Sequence, residues 1–182
     1  MSNFQVSPTR VELFVAPSSE KQFSIALTNH TGHEATFLLG AEDLAPASDS
    51  AGDFVLLGKS ASAYSLKDYV LGSANSVTLV DGETRALPFV VRLPAGAKEQ
   101  GLYGAVTVEL SGVVEEQLTA GAKVRSRLAV GVLTRTVEHP DVSGHLVDFD
   151  TTDGAHLLFS NRLDFKFAYQ NDGNVHVEPS GV

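Results

Sequence analysis

The histidines are the residues of this sequence best suited to binding a metal, but their spacing does not build a site. His30 and His33 have the H-x-x-H spacing that can set two imidazoles on one face of a helix. Here they flank Gly32, which is typical of a turn, so no helix would hold them together. The remaining histidines are scattered between His139 and His176. The sequence therefore predicts no metal site.

Other groups that could do chemistry are equally isolated. Gly58-Lys59-Ser60 matches the end of a phosphate-binding loop, but Asp53 occupies the position of its first glycine. The chain has no cysteine and no Gly-x-Ser-x-Gly motif, which excludes thiol chemistry and the serine-hydrolase elbow. The carboxylates between Asp141 and Asp153 are typical of loops and strand ends. We therefore predict a protein without enzymatic activity and without a cofactor.

Composition narrows the choice of partners. The 182 residues include 22 acidic and 13 basic ones, and the net charge of -9 repels nucleic acid and anionic lipid headgroups. No stretch approaches the roughly 18 apolar residues of a membrane span. Apolar residues make up 43% of the chain, which is enough for a packed core. We expect a folded protein that does not bind nucleic acid and that reaches a membrane only through an anchor outside this sequence.

Strands must position any site, because apolar and polar residues alternate along most of the chain. Phe23, Ile25 and Leu27 alternate in this way up to Asn29, and turn residues follow. The same signal predicts further strands at 11–15, 35–39, 54–57, 76–80, 85–93, 102–110 and 123–137, with one or two helical turns at 65–71. Strands that follow one another without substantial helices indicate an all-β, antiparallel immunoglobulin-like β-sandwich.

The connections between these strands carry two further predictions. The strand at 76–80 runs through the turn Asp81-Gly82-Glu83-Thr84 into the strand at 85–93, which predicts that the two strands pair as a hairpin. Long loops at 45–62 and 111–121 are the candidate contact surfaces, because loops on rigid sandwiches usually carry recognition.

Gly101-Leu102-Tyr103 is the most informative motif. Immunoglobulin-like domains place a tyrosine at the start of one strand, where its hydroxyl bonds back to nearby backbone, and Tyr103 fits that position. Ala105 stands where disulfide-bearing members have a cysteine, and a small residue there suits a core without the bridge. Asn29 also begins the glycosylation sequence Asn-His-Thr, but we interpret it as a turn residue. We predict structural roles for Gly101, Tyr103, Ala105 and Asn29.

An internal repeat predicts a second domain. The strand that ends at Asn171, and the glycine turn after it, repeat the pattern of the strand that ends at Asn29. We predict an immunoglobulin-like sandwich at 4–139 and, at 140–182, a linker with the first strands of a second, incomplete sandwich. We predict a structural role for Asn171. An incomplete sandwich leaves an unpaired strand edge, so we expect self-association through this domain.

Residues 7–32 and 77–110 resemble the N-terminal domain of bacterial surface proteins related to the WxL-interacting proteins. This resemblance implies an exported immunoglobulin-like domain that binds peptidoglycan, followed by a second β domain and a C-terminal membrane anchor. It implies a cell-wall polymer or a surface protein as the partner, with the anchor beyond Val182.

Two other segments, at 8–11 and 125–128, resemble strands of the periplasmic pilus chaperones, which also have two immunoglobulin-like domains. In that family an arginine and a lysine in a cleft hold the terminal carboxylate of a subunit, and a strand completes the subunit by strand addition. Arg10 matches the arginine, whereas apolar Ala129-Val130 replaces the lysine. The resemblance makes Arg10, Arg125 and Arg127 the candidate binding residues.

Together these patterns predict a non-enzymatic, exported bacterial domain at the cell surface or in the periplasm. Its predicted function is to bind cell-wall or surface partners, or to act as a structural spacer. The alternative is a periplasmic pilus-type chaperone that caps subunits by strand addition. The two hypotheses differ in the partner, which is a polymer or surface protein in the first and a protein subunit in the second.

Overall fold

The computed structural model describes residues 3–46, 54–112, 126–151 and 165–177. Contacts divide the chain into two compact units, Met1–Glu138 and His139–Val182, which we call unit 1 and unit 2. The strands are β1 Phe4–Ser7, β2 Arg10–Phe14, β3 Glu20–Asn29, β4 Ala35–Pro46, β5 Phe54–Leu56, β6 Val70–Gly72, β7 Ser76–Leu79, β8 Thr84–Arg92, β9 Gly101–Leu110, β10 Arg127–Arg135, β11 Gly144–Thr151 and β12 Phe165–Asn171. A 3₁₀ turn, Lys67–Tyr69, lies before β6, where the sequence predicts helical turns.

Unit 1 is a sandwich of two sheets. The four-stranded sheet has the order β1-β3-β8-β6, and the six-stranded sheet has the order β2-β10-β9-β4-β5, with β7 beside β4. Every pairing among the described strands of unit 1 is antiparallel except that of β2 with β10, which is parallel. The predicted all-β sandwich is confirmed, and its one parallel pair departs from the antiparallel prediction.

The core of unit 1 lies between the two sheets. Alternation gives each strand one apolar face, and the apolar faces of the sheets meet. Ile25 of β3 and Val106 of β9 are fully buried from opposite sides of this core. The rings of Phe4 in β1 and Phe37 in β4 contact each other across it, with centroids 5.2 Å apart. Each such side chain stabilises the fold by about 1.5–3 kcal/mol through burial.

The predicted hairpin of β7 with β8 is wrong. β7 pairs with β4 in the six-stranded sheet, whereas β8 pairs with β3 and β6 in the other sheet. The turn between them crosses the sandwich and is held by the end of β3, since the Gly82 N–H donates to the Asn29 carbonyl at 2.9 Å. The reason is burial: Leu79 and Leu87 both face the core, and they do so from opposite sheets.

The first strand of the sandwich is divided between the sheets. β1 pairs with β3, and after Pro8 the chain continues as β2, which pairs with β10. Because β2 begins opposite Gly131, the segment 127–130 of β10 has β9 on one side and no described strand on the other. This division exposes a strand edge.

Unit 2 contains, in its described part, a two-stranded antiparallel sheet of β11 and β12. Gly144 lies opposite Asn171, and the register shifts between Leu146 and Asp148. The interpretation of these strands as the start of a second sandwich stays a prediction.

Candidate functional site

A cleft lies where the edges of the two sheets of unit 1 meet. It encloses about 350 Å³ between β1, β10 and the turns beside them, and its walls are mostly apolar. We call it the edge cleft, and the residues that line it are Phe4, Gln5, Val6, Thr9, His30, Leu128 and Ala129.

The β10 wall of the edge cleft presents backbone groups that no described residue pairs with. In an antiparallel pair, alternate residues direct both N–H and C=O toward the partner strand. The Gly131 N–H donates to the Thr9 carbonyl at 3.0 Å, on the side away from β9. Odd-numbered residues of β10 therefore face away from β9. Arg127 and Ala129 direct their N–H and C=O groups to the open edge, before β2 begins.

The β1 wall has the same property. The His30 N–H donates to the Asn3 carbonyl at 3.0 Å, so odd-numbered residues of this segment face β3. Phe4 and Val6 consequently direct their backbone groups to the opposite edge, which borders the cleft. The buried ring of Phe4 anchors this edge to the core. Two open strand edges thus flank one apolar cleft.

This arrangement is suited to holding an extended polypeptide segment. Such a segment can add main-chain hydrogen bonds to an open edge while its alternate side chains enter an adjacent pocket. Each hydrogen bond contributes about 0.5–1.5 kcal/mol net. In the part of the chain that the structure describes, no group of three His, Asp or Glu side chains could hold a metal ion. The geometry is one of binding through backbone pairing.

The side chains of Arg10 and Arg127, two of the arginines predicted as binding residues, do not line the edge cleft. Arg10 forms an ion pair with Glu12, and Arg127 forms one with Glu42. The register offsets Arg10 from Arg127 by four residues along β10, which is about 13 Å at the usual strand rise. Arg125 lies outside the described residues. The structure does not bring Arg10 and Arg127 into one anion site, and the role of the three arginines in binding stays a prediction.

Tyr103 folds back over Gly101. A Cβ on Gly101 would collide with the Tyr103 hydroxyl, which explains why the residue two positions before the tyrosine is glycine. The Tyr103 N–H donates to the Tyr64 carbonyl at 2.8 Å, and the two rings lie 6.0 Å apart. That the hydroxyl closes a tyrosine corner stays a prediction.

Ala105 is buried, but on the outer face of the six-stranded sheet. Its neighbour Val106 belongs to the core, and successive residues of a strand point to opposite faces. Ala105 lies opposite Glu42 of β4 and Gly131 of β10, so the ion pair between Glu42 and Arg127 crosses β9 beside it. The structural role predicted for Ala105 stays a prediction. The structure buries this residue on the face opposite Val106, where its small side chain leaves room for the ion pair between Glu42 and Arg127.

The Asn29 side chain holds the turn after β3 from inside. Asn29 is fully buried, and its Nδ2 donates to the carbonyls of His33 at 2.8 Å and Leu79 at 2.9 Å. Its Oδ1 accepts from the Thr31 N–H at 2.9 Å. Leu79 belongs to the six-stranded sheet, so Asn29 also links the two sheets. The turn interpretation of this residue accounts for the bonds to Thr31 and His33, whereas the bond to Leu79 is a long-range contact that it does not predict.

Asn171 makes the corresponding bonds in unit 2. Its Oδ1 accepts from the Gly173 N–H at 3.0 Å, and its Nδ2 donates to the Val175 carbonyl at 2.6 Å. In both units the side chain thus binds the N–H two positions ahead and the carbonyl four positions ahead. We call this pair of bonds the Asn clamp.

Asp43 is a structurally important residue that no sequence signal marked. Its Oδ1 accepts from the N–H groups of Leu66 and Lys67, both at 3.0 Å, and its Oδ2 accepts from the Ser62 N–H at 3.1 Å. Burial alone would raise the pKa of Asp43, but hydrogen bonds from Lys67, Ser65, Ser62 and Leu66 outweigh it and lower the pKa below 3.8. The carboxylate of Asp43 therefore ties residues 62–67, which lead into the 3₁₀ turn, to β4.

Of the two loops predicted as contact surfaces, the one at 111–121 falls largely outside the described residues, and the one at 45–62 falls partly outside them. The structure does not describe 47–53 or 113–125. Their role in recognition therefore stays a prediction.

Three solved structures are similar to this chain in fold. The ASH/PapD-like domain of human CEP192 (PapD-like domain 7) gives a TM-score of 0.50 at 14% identity, over 76% of this chain and 87% of that one. The class 5 fimbriae chaperone CfaA gives 0.55 at 10% identity, over 95% and 68%. A chaperone-tip adhesin complex of CFA/I fimbriae biogenesis gives 0.54 at 10% identity, over 96% and 68%.

These likenesses concern the fold, and they confirm the immunoglobulin-like sandwich. In sequence, the chain matches no family model and no curated protein. By their titles, the similar structures are a PapD-like domain, a fimbriae chaperone and a chaperone-tip adhesin complex. None of them supports the resemblance to the WxL-interacting proteins or binding to a cell-wall polymer. Within the described ranges, no helix is long and apolar enough to cross a membrane.

Proposed function

We propose that unit 1 is a non-enzymatic chaperone-type module that binds an extended segment of a partner protein by strand addition at the edge cleft. The observation that carries this proposal is the pair of open edges on β1 and β10 beside one apolar cleft. Natural sheets usually block such edges because they pair readily with other chains. Here the edges border a cleft in which alternate side chains of an added strand can be buried.

The similar structures favour a protein as the partner. Two of them are, by their titles, a fimbriae chaperone and a complex of a chaperone with a tip adhesin. By this analogy the partner is an exported protein subunit, and the protein acts in the periplasm. Neither the cleft nor these likenesses favours a cell-wall polymer, so the pilus-type chaperone, the alternative under "Sequence analysis", becomes the preferred function.

The proposed binding relies on backbone pairing rather than on capture of a terminal carboxylate. Arg10 already has a carboxylate partner in Glu12, and Ala129-Val130 occupies the position where pilus chaperones have a lysine. The edge cleft therefore offers N–H and C=O groups of Arg127 and Ala129 to any segment of suitable side-chain pattern. An internal segment of the partner fits this site as well as its C-terminus does.

A capped model peptide tests the proposal. The probe is an acetylated and amidated heptapeptide in which valine alternates with threonine between two terminal lysines. We expect its titration into ¹⁵N-labelled full-length chain to shift the amide resonances of Phe4, Val6, Arg127 and Ala129. Shifts confined to another surface, or no shifts at peptide concentrations of about 1 mM, would contradict the proposal.

Ala129→Pro sharpens the test, because it removes an N–H that faces the open edge and not one that pairs with β9. We expect about tenfold weaker peptide binding, the equivalent of one hydrogen bond. Ala129→Ser keeps the N–H and is the matched control, with unchanged affinity expected. Equal affinities of the proline and serine variants would show that the peptide does not pair with this edge.

A further inference from the structure

The two-stranded sheet of unit 2 has faces of opposite character. Phe149 lies directly opposite Phe167, and the rings of Phe149 and Phe165 stack with centroids 5.4 Å apart. We call Leu146, Phe149, Phe165 and Phe167 the aromatic face. The reverse face of the same two strands carries the polar and charged residues His145, Asp148, Asp150, Lys166 and Gln170. The aromatic face is largely open, since Phe149 is 61% exposed and Phe167 is 62% exposed.

The strands of unit 2 reproduce the end of the first strand pair of unit 1 that carries the Asn clamp. In unit 1, β1 begins opposite Asn29, and the next residue, His30, donates its N–H to the Asn3 carbonyl at 3.0 Å. In unit 2, β11 begins opposite Asn171, and the next residue, Asp172, donates its N–H to the Ser143 carbonyl, also at 3.0 Å. Each pair also ends in an Asn clamp.

By this correspondence, the aromatic face occupies the position that the core-facing side of β1 and β3 has in unit 1. Counted back from the clamp asparagine, Phe167 of β12 corresponds to Ile25 of β3, and Phe165 corresponds to Phe23. Ile25 is fully buried in unit 1 because the six-stranded sheet covers it. The described part of unit 2 contains no second sheet that could cover Phe167 in the same way.

We propose that a second copy of the chain covers the aromatic face, so that two β11–β12 sheets pack against each other. The aromatic face is uncharged and therefore self-complementary, as a two-fold symmetric contact requires. The net charge of -9 opposes contact between copies over most of the surface. The charged residues of the β11–β12 sheet lie on its reverse face, so this contact avoids like-charge repulsion between the two sheets.

The available area predicts a weak association. Leu146 and Phe165 are each 55% exposed, and Phe149 and Phe167 slightly more. With about 150–250 Å² for a whole aromatic side chain, the aromatic face offers on the order of 450 Å² per copy. The pair buries about 900 Å², below the roughly 1,200–2,000 Å² of stable complexes. We therefore expect a dissociation constant on the order of 100 μM.

Sedimentation velocity of the full-length chain between about 5 and 500 μM tests the proposal. The wild type is expected to pass from monomer to dimer over this range. Phe167→Ser should weaken dimerisation at least about tenfold. Lys166→Ser is the matched control, because it changes the adjacent residue on the reverse face, and it should dimerise as the wild type does. A wild type that stays monomeric at the highest concentration overturns the proposal.

Phe149→Lys distinguishes a specific loss of the dimer contact from a loss of the dimer through misfolding. It sets two like charges against each other across the two-fold axis, so the dimer should be lost while the amide resonances of Gly173 and Val175 keep their wild-type positions. Unweakened dimerisation of Phe167→Ser or of Phe149→Lys overturns the proposal. So does a dimer that survives these changes but is lost in Ala129→Pro, because that dimer would form through the edge cleft.

Discussion

Asn29 and Asn171 end corresponding strands with the same clamp, but their surroundings differ. Asn29 is fully buried and makes a third bond, to Leu79 of the opposite sheet, fifty positions further along the chain. Asn171 is exposed, and no described residue beyond its own turn adds such a bond. The clamp is therefore a local property of the sequence, whereas its burial depends on a second sheet.

This difference determines how much each asparagine is expected to contribute to the free energy of unfolding. A hydrogen bond that water can replace contributes about 0.5–1.5 kcal/mol, whereas a buried carbonyl left without a donor costs about 1–3 kcal/mol. The Leu79 carbonyl has no ready access to water, since its residue is fully buried. Substitution at Asn29 should therefore be far more costly than the same substitution at Asn171.

Asn29→Ala is expected to have the largest effect. It leaves the carbonyls of His33 and Leu79 without their donor and should lower the free energy of unfolding of unit 1 by about 3 kcal/mol. Urea unfolding, followed by amide exchange of β3 and β8, measures this loss. A loss no larger than that caused by Asn171→Ala in unit 2 would show that the contact with the second sheet adds nothing to the clamp.

Asp43→Asn should have the next largest effect. The new amide group would place N–H donors against the N–H groups of Ser62, Leu66 or Lys67, which should destabilise unit 1 by about 2 kcal/mol near neutral pH. The folded pKa of Asp43 lies below its unfolded value of 3.8. Its contribution to stability is therefore complete above about pH 5 and is lost as the pH falls through the folded pKa.

The pH dependence separates this buried anchor from an exposed one. The difference in stability between the wild type and Asp43→Asn should shrink as the pH is lowered from about 5 to about 3. Asp172 is the matched control in unit 2: hydrogen bonds from His145 and Gln170 lower its pKa too, but its carboxylate is exposed. Asp172→Asn should change stability less than Asp43→Asn at every pH. A pH-independent difference for Asp43→Asn would contradict this assignment.

Sequence patterns predicted the strands of unit 1 because the alternation of apolar and polar residues shows which face of a strand is buried. The position of β3, the end of β8 before Pro94 and the turn at Asn29 follow from it. Pairing did not follow, because β7 and β8 have the same local pattern whether they share one sheet or face each other across a core. A signal for the divided first strand was present: the apolar residues that contact the core change from even positions at Phe4 and Val6 to odd positions at Val11.

The candidate site was harder to predict than the fold. The edge cleft exists because β2 begins opposite Gly131 and not opposite Arg127, which is a matter of register between distant segments. Arg10 and Arg127 were chosen because of a resemblance to pilus chaperones. Arg127 pairs with Glu42, which lies 85 positions away and which the sequence does not place near it, whereas Arg10 pairs with Glu12 of its own strand. Long-range register and ion pairing are decided by the packed structure as a whole, so residue spacing alone does not reveal them.

Asn171→Ala should have a smaller effect than Asn29→Ala or Asp43→Asn and should act only on unit 2. Its bonds to Gly173 and Val175 are local, and Asn171 is exposed, so water can replace part of what is lost; we expect about 1 kcal/mol. Faster amide exchange in β12, with unchanged exchange in β3, is the expected result. If Asn171→Ala instead destabilises β12 as strongly as Asn29→Ala destabilises β3, then Asn171 is buried in solution, and a second sheet already covers unit 2.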